Sequence, residues 1–598
     1  MVRLLRFLFL FTFICYSRFA FAGGGACPAN SPLSGQNACY FVAANGADSN
    51  SGNSESSPWL HAPGMPNCTG NCAALSAGNG GIGIIVRGGD TWHEGNSSAA
   101  PYTGGTWDLY GWFSNAYGGS ISNCAYEGTQ TGCLYVGVDT TWYNSSTCGS
   151  SWCRPVITGD NPLVASGFAS SCVYQVPNPG PNFGPNILVN IPGFTIFDNF
   201  ELTGLCVSAS STSSGNTYIS GWSGSGSNSA ISMLENDYMH GWSATSTAGS
   251  GSASHPVTVL SGGGGVQQVF DHIVIDGQDS NPQVAAWGTF PIFTHMRDSI
   301  VRYAGQGVGQ GCHDIHDNIF EHFYYTELDG HINAFECNAD ASTNTANVFY
   351  NNVFRHFDPS FGNGEIVWFC PNTTPEYWFN NVMFDVVAPG QGQPWNVVGP
   401  PIYSGCSNTG GQYMFNNTLV NVNQPCYLTN SSTHGSYLNV FNENLIDTPF
   451  DLLGGATCVG GPGSATNISM TGATAAAQGY TTGSSGTVSP DSCANDPTMP
   501  CRPTSTTSST VGAGTNEQAY CAALASFTSE PAISQDAANA CENGTTDGCS
   551  YNSTSHSMSC PEHAALARPG SKAWDSGAYQ YTAGPSSPIN LTASPVSH

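Results

Sequence analysis

The strongest constraint on this chain is a short motif that recurs at uneven intervals. An apolar residue is followed three positions later by Asn or a comparable polar residue, usually with another apolar residue two beyond. The polar position is Asn199, Asn236, His272, Ser299, Asn318, Asn352, Asn381, Asn417 and Asn444, and successive copies lie 19 to 37 residues apart. Stacked helical repeats keep a nearly fixed period, whereas a coil of short strands can return to the same place after loops of any length. The local texture is that of strands. Val348-Phe349-Tyr350, Tyr377-Trp378-Phe379 and Tyr413-Met414-Phe415 are aromatic or β-branched runs without helical period, punctuated by Gly and Asn. Asn suits the bend between strands because it tolerates left-handed backbone, and stacked Asn amides can hydrogen-bond along the coil axis. The expected fold is all-β: a right-handed, single-stranded parallel β-helix with long disulfide-stapled loops. At about 4.8 Å per coil, the laddered core is roughly 40 Å long.

Segments outside the repeat extend this reading. Tyr40-Phe41-Val42-Ala43-Ala44-Asn45-Gly46-Ala47-Asp48 runs from a strand into a Gly/Asp/Asn turn, and Ile84-Ile85-Val86-Arg87-Gly88-Gly89-Asp90-Thr91 reads as a first core strand. Arg154-Pro155-Val156-Ile157-Thr158-Gly159 reads as the next coil, and Trp574-Asp575-Ser576-Gly577-Ala578-Tyr579 as a closing strand. Together these segments resemble the pectate-lyase-like superfamily of secreted parallel β-helix proteins. The resemblance spans residues 40 to 581 and implies the fold. It leaves function open, since such folds host lyases, hydrolases, esterases and adhesins alike.

Residues 1–22 have the form of a secretory signal peptide, with Arg3 and Arg6 before the apolar run Phe7 to Tyr16 and Ala20-Phe21-Ala22 at the cleavage site. Export to an extracellular or cell-surface location agrees with the 23 cysteines. Near neighbours such as Cys124 and Cys133, Cys148 and Cys153, and Cys549 and Cys560 suit short loop staples in an oxidising compartment. With 39 acidic residues against 11 basic ones, nucleic acid is not an expected partner. Membrane insertion is not expected either, since no later stretch approaches about 20 apolar residues. A surface of Ser, Thr, Asn and Gly suits extracellular polysaccharide. The expected organisation is a signal peptide at 1–22, a β-helix with its N-terminal cap at 23–455, a Gly/Ser/Thr-rich loop region at 456–570, and a closing strand and tail at 571–598. Short helices are expected at Gln518 to Ala525 and Ser534 to Cys541.

Ionisable residues concentrate between Cys312 and Asp340, where 11 of 29 residues titrate. Counting six positions on from the first apolar residue of three successive coils gives Arg302, Glu321 and Arg355, and counting seven gives Tyr303, His322, His356 and Asp385. Either column can line a groove for an extended sugar chain. Tyr324, Tyr325, Trp368, Trp378 and Trp395 are candidates for sugar stacking or for the core.

Two reactions fit these groups. A glycosidase needs two carboxyls, one kept protonated by its surroundings. Glu321 is the general-acid candidate, with Asp317, Glu327 or Glu336 as partner. A β-eliminating lyase needs a base and a charge-neutralising cation. Because the only lysine is Lys572, the superfamily resemblance implies an arginine base, Arg302 or Arg355, with Ca²⁺ held by Asp314, Asp317, Asp329 or Glu336. His313 and His316 are further metal-ligand candidates, and His322 and His356 complete the catalytic set. The functional expectation is a secreted polysaccharide-binding β-helix that acts as a glycoside hydrolase or an Arg-based lyase. The alternatives are a non-catalytic surface protein or adhesin, and a plain salt-bridge ladder from Arg302 through Glu321 to Arg355.

Overall fold

The computed structural model describes residues 23–581 except 77–79, 114–120, 122, 127, 165–167, 178–186, 208–216, 223–229, 246–257, 263–265, 280–287, 290–293, 305–307, 310–312, 324–332, 338–345, 358–364, 370–373, 387–411, 423–437, 449–465, 498, 529–530, 546–547 and 562–565. The signal-peptide segment 1–22 lies outside these residues.

Three parallel sheets form the walls of the winding. Sheet A has 12 strands from Cys39–Val42 to Leu438–Phe441, sheet B has 12 from Thr91–His93 to Ile468–Met470, and sheet C has eight from Trp107–Asp108 to Glu365–Phe369. Each middle coil passes from A to B to C and back to A, so consecutive coils pair strand on strand in register. This is a parallel β-helix. The three aromatic runs are neighbours in sheet A, with Phe349 opposite Trp378 and Trp378 opposite Met414. The laddered coils continue to Ile468–Met470, beyond the expected boundary at 455.

Alternation along each strand sends one residue inward and its neighbours outward. Val301, Phe320 and Phe354 are inward rungs of sheet B, and Ile315, Phe349 and Trp378 of sheet A; all belong to the main buried cluster. Trp378 is thus a core residue. Tyr324, Tyr325 and Trp395 lie outside the described residues, and only the backbone of Trp368 is described, in strand Glu365–Phe369.

Between sheets A and B the chain bends through two adjacent special positions. The first is left-handed: Asn199, Asn236, His272, Asp298, Asp317, Asn351, Asn380, Asn416 and Asn442 all have φ between 53° and 69°. The second carries a buried amide ladder. Asn318 Nδ2 donates to Asn352 Oδ1, Asn352 to Asn381 and Asn381 to Asn417, each at 3.0 Å. Each backbone N–H in the row donates to the same acceptor. The recurring motif therefore spans more than one structural position. Asn199, Asn236 and His272 take the left-handed position, Ser299 to Asn417 take the ladder position, and Asn444 already stands in strand Asn444–Ile446 of sheet B.

Past Asn417 the ladder uses a carboxyl. Glu443 accepts from Asn417 N and Nδ2 at 3.2 and 3.0 Å. Burial pushes its carboxyl well up against the pull of those two bonds, so a carboxyl with a raised pKa takes the place of an amide.

Eight disulfides occur among the described residues, and Cys124–Cys133, Cys148–Cys153 and Cys549–Cys560 are bonded as near neighbours. Helices occupy Gln518–Leu524 and Pro531–Cys541. The segment Trp574–Tyr581, expected as a closing strand, joins no sheet. It lies as irregular chain on the last coils, with Gly577 N donating to Asn442 O and Ala578 N to Thr418 Oγ1.

Asn352→Ala is expected to lower stability by about 2–3 kcal/mol, because it removes the acceptor of the buried Asn318 N–H and the Nδ2 donor to Ile315 O, while Asn381 Oδ1 keeps only the backbone N–H of residue 352; thermal or denaturant melting reads this out. Glu443→Gln is expected to raise the melting temperature at about pH 7 and to change it less near pH 4. A carboxyl whose pKa is raised by folding favours the native state below its unfolded value of about 4.3, and that contribution is lost as pH rises.

Candidate functional site

The column expected from counting is present. Asp276, Arg302, Glu321 and Arg355 stand opposite one another on four successive strands of sheet B, on its outer face. Arg302 Nε lies 2.9 Å from Glu321 Oε1, Arg355 Nε 2.7 Å from Glu321 Oε2, and Arg302 Nη1 3.4 Å from Asp276 Oδ2. In-register strands about 4.8 Å apart would crowd like charges, so alternating signs let the column form. Burial alone would raise the Glu321 carboxyl, but the Arg355 and Arg302 guanidiniums outweigh it and hold it below the ordinary range.

That environment counts against Glu321 as the general acid, since two guanidiniums favour its charged form. It also counts against Arg302 as a base. Burial lowers the Arg302 guanidinium, but Glu321 and Asp276 more than reverse this and raise it.

The second column lies beside the first because a bend intervenes. Tyr303, His322, His356 and Asp385 are left-handed, with φ between 50° and 59°. Tyr303 stacks on His322 at 4.6 Å and His322 on His356 at 5.6 Å, while His356 Nδ1 lies 3.1 Å from Asp385 Oδ2. Burial depresses His322, and His356 and the arginines add to this against the pull of Glu321.

The first column is capped. A disulfide-closed hairpin, Ser550–Asn552 paired with Ser557–Ser559, lies across the outer face of sheet B. Met558 and Cys549 pack with Tyr238, Val274, Ile300 and Ile319. The Tyr551 hydroxyl meets Asp276 Oδ2 at 2.8 Å, and the Arg302 guanidinium sits 4.9 Å from the Tyr551 ring centre. Arg302 and Glu321 are consequently only 8% and 5% exposed, and no open groove runs along these two residues.

Of the proposed calcium ligands, Asp314 and Asp317 are the two whose side chains are described, and an imidazole lies between them. His316 stands between Asp314 and Asp317, with Nδ1 2.7 Å from Asp317 Oδ2 and Nε2 3.8 Å from Asp314 Oδ2. Burial would lower this imidazole, but the Asp314 and Asp317 carboxylates raise it to about 9. Asp314 is buried and also 3.5 Å from His295 Nδ1. Asp329 lies outside the described residues, as do Glu327 and the surroundings of His313 at 310–312; only the backbone of Glu336 is described, in strand Asn333–Cys337. Among the described residues, Asp271, His272 and Asp298 instead bring one ligand atom each within 4.8 Å of one another. Arg297 already neutralises Asp271, and a mixed nitrogen and oxygen set beside a guanidinium does not fit Ca²⁺, which takes six to eight oxygens.

Counting missed the outer wall of sheet A. Asp198, Glu235, Asp271, Arg297 and His316 stand opposite one another on successive coils. Asp198 is held by Tyr135 Oη at 2.8 Å and by the amides of Asn236 and Asn199 at 2.9 and 2.7 Å. Arg297 Nη2 grips Asp271 Oδ2 at 2.6 Å, and His272 Nδ1 meets Asp271 Oδ1 at 2.6 Å. The Tyr126 ring lies under the Arg297 guanidinium at 5.1 Å.

Two adjacent carboxyls are thereby driven apart. Burial, then the Asp198 and Asp271 carboxylates, raise Glu235 to about 8. Burial would also raise Asp271, but His272 and Arg297 override it and bring it down to about 2. Both residues are half-buried. A count of two positions on from the first apolar residue gives the first three members, Asp198, Glu235 and Asp271, and then shifts to Asp298 and Asp317, the left-handed neighbours of Arg297 and His316.

No family model matches the chain, and no curated protein matches it. Among solved structures it is similar to the GH136 lacto-N-biosidase from Eubacterium ramulus, with 13% identity, a TM-score of 0.34, and coverage of 73% of this chain and 67% of that one. It is also similar to pectate lyase Pel9A, with 15% identity, a TM-score of 0.33, and coverage of 80% and 92%.

Glu321→Ala should destabilise the protein by about 3 kcal/mol, because it takes the carboxylate from the partly buried Arg355 and leaves the buried Arg302 only its longer contact with Asp276, whereas replacing Arg302, Glu321 and Arg355 together by Met should restore much of the loss. Thermal melting decides between this ladder role and a catalytic one, which would instead show lost turnover at unchanged stability.

Proposed function

We propose that the protein is an extracellular polysaccharide-binding β-helix that hydrolyses glycosidic bonds at the outer wall of sheet A, with Glu235 and Asp271 as its paired carboxyls. The observation that carries this reading is the unequal surroundings of two facing carboxyls: on neighbouring strands about 4.8 Å apart, Asp271 is bonded by His272 and Arg297, while Glu235 stands between two other carboxyls, which with burial shifts the pair in opposite directions. Glu235 donates its proton to the glycosidic oxygen as the bond from that oxygen to the anomeric carbon breaks. Asp271 is too weak a base to take a proton and instead stabilises the positive charge that develops on the sugar ring. Water then attacks the anomeric carbon, and the Glu235 carboxylate recovers a proton from it. The products are one new reducing end and one new hydroxyl-terminated chain.

His272 and Arg297 keep Asp271 ionised, and the half-buried Tyr126 offers a ring at the edge of the wall. A surface with little charge and abundant hydroxyls and amides supports a sugar ligand. An Arg-based lyase has less support, because Arg302 is locked between Asp276 and Glu321 beneath the hairpin.

The test is a screen of the exported protein against neutral and uronate-containing polysaccharides, following reducing ends and the ultraviolet absorbance of unsaturated uronate. Reducing ends alone are expected. Glu235→Gln should lower turnover by about 10²–10⁴-fold, and activity should decline above about pH 8 as Glu235 loses its proton. Full turnover in Glu235→Gln, or unsaturated products, would sink the assignment.

A further inference from the structure

We propose that the Cys549–Cys560 hairpin is an acid-released flap over the Asp276–Arg302–Glu321–Arg355 ladder, latched by His556. This is independent of where catalysis occurs.

The hairpin is joined to the winding mainly through a few side chains. His556 lies flat on Tyr238, with centroids 4.2 Å apart and planes 4° from parallel, and His240 stacks on Tyr238 at 4.1 Å. His556 Nδ1 is 2.8 Å from Tyr551 Oη, which also reaches Asp276 Oδ2. Arg154 Nη1 donates to Ser555 O at 3.0 Å, and its Nε donates to Asn236 O. Cys549 Sγ lies 3.1 Å from Asp317 O.

The charges facing His556 come from every neighbouring element. His240 lies between Glu201 Oε1 at 3.1 Å and Asp279 Oδ2 at 2.6 Å. Burial would lower it, but those two carboxylates raise it to about 9, so it is a cation at neutral pH. Arg154 adds a second cation and Arg302, across Tyr551, a third. Asp276 and Glu201 pull the other way. The balance is that burial, then His240, keep the docked His556 ring below its ordinary value.

A released ring returns to about 6.5. Docking therefore holds fully above that pH and weakens as pH falls below it, since only the released form takes up the proton without meeting other cations. Release would bare the apolar strip of Tyr238, Val274, Ile300 and Ile319, together with the ladder. That strip runs along the coil axis and combines an aromatic ring with paired charges.

Hydrogen exchange of the full exported protein, followed by mass spectrometry at about pH 7.5 and about pH 5 and corrected for intrinsic rates, tests this. Peptides over 549–560 should lose protection several-fold on acidification, while those over 376–386 keep theirs. His556→Phe preserves the stacked ring without the proton, so its hairpin should be protected equally at both pH values. Unchanged wild-type protection overturns the proposal, as does the same acid loss in His556→Phe. If that variant does not accumulate, the wild-type midpoint decides: a transition within about one unit below the ordinary imidazole value of about 6.5 supports His556, and one far below it overturns the proposal.

Discussion

The buried amide row at the bend between sheets A and B is the interaction on which the winding depends. Parallel strands bond sideways without difficulty, but a sharp bend leaves backbone N–H and C=O groups that face neither sheet. Each ladder Asn serves both needs. Its Oδ1 takes the N–H of the residue one coil back, and its Nδ2 reaches a carbonyl in sheet A, as Asn352 does to Ile315 at 2.9 Å. The preceding left-handed residue aims the chain into the corner. With the corner fixed, outer rows of sheets A and B fall into register, and the surface chemistry becomes a matter of columns.

Much of this was legible in the sequence, because the ladder's demand for Asn survives changes in loop length. Asn318, Asn352 and Asn381 could be aligned across unequal steps for that reason. The offset at Asn199, Asn236 and His272 could not be read, because Asn satisfies both the left-handed position and the ladder position. Arg302, Glu321 and Arg355 were readable as a row. Their cover was not, since Cys549 meets Asp317 across a separation of 232 residues and no periodicity links the two. Asp198, Glu235 and Asp271 recur at one offset of the same repeat, but they are isolated carboxyls 36 to 37 residues apart, whereas ionisable residues crowd together between 312 and 340.

The two charged walls show that stacking imposes one problem and admits two solutions. On sheet B, alternating signs cancel and the row is buried. On sheet A, three carboxyls follow one another before the first guanidinium, so the repulsion is relieved by retaining a proton. That difference separates a row whose charges pair off from one whose neighbouring carboxyls are shifted in opposite directions.

The disulfides among the described residues close intervals of only 4 to 34 residues. None spans the winding. Each bridge can therefore form from the stretch that carries it, with little chance of mispairing with a distant thiol, as the chain enters an oxidising compartment. For these bridges, cross-linking and coiling are separate tasks: each makes its own loop covalently rigid, and none of them carries the long-range order of the walls.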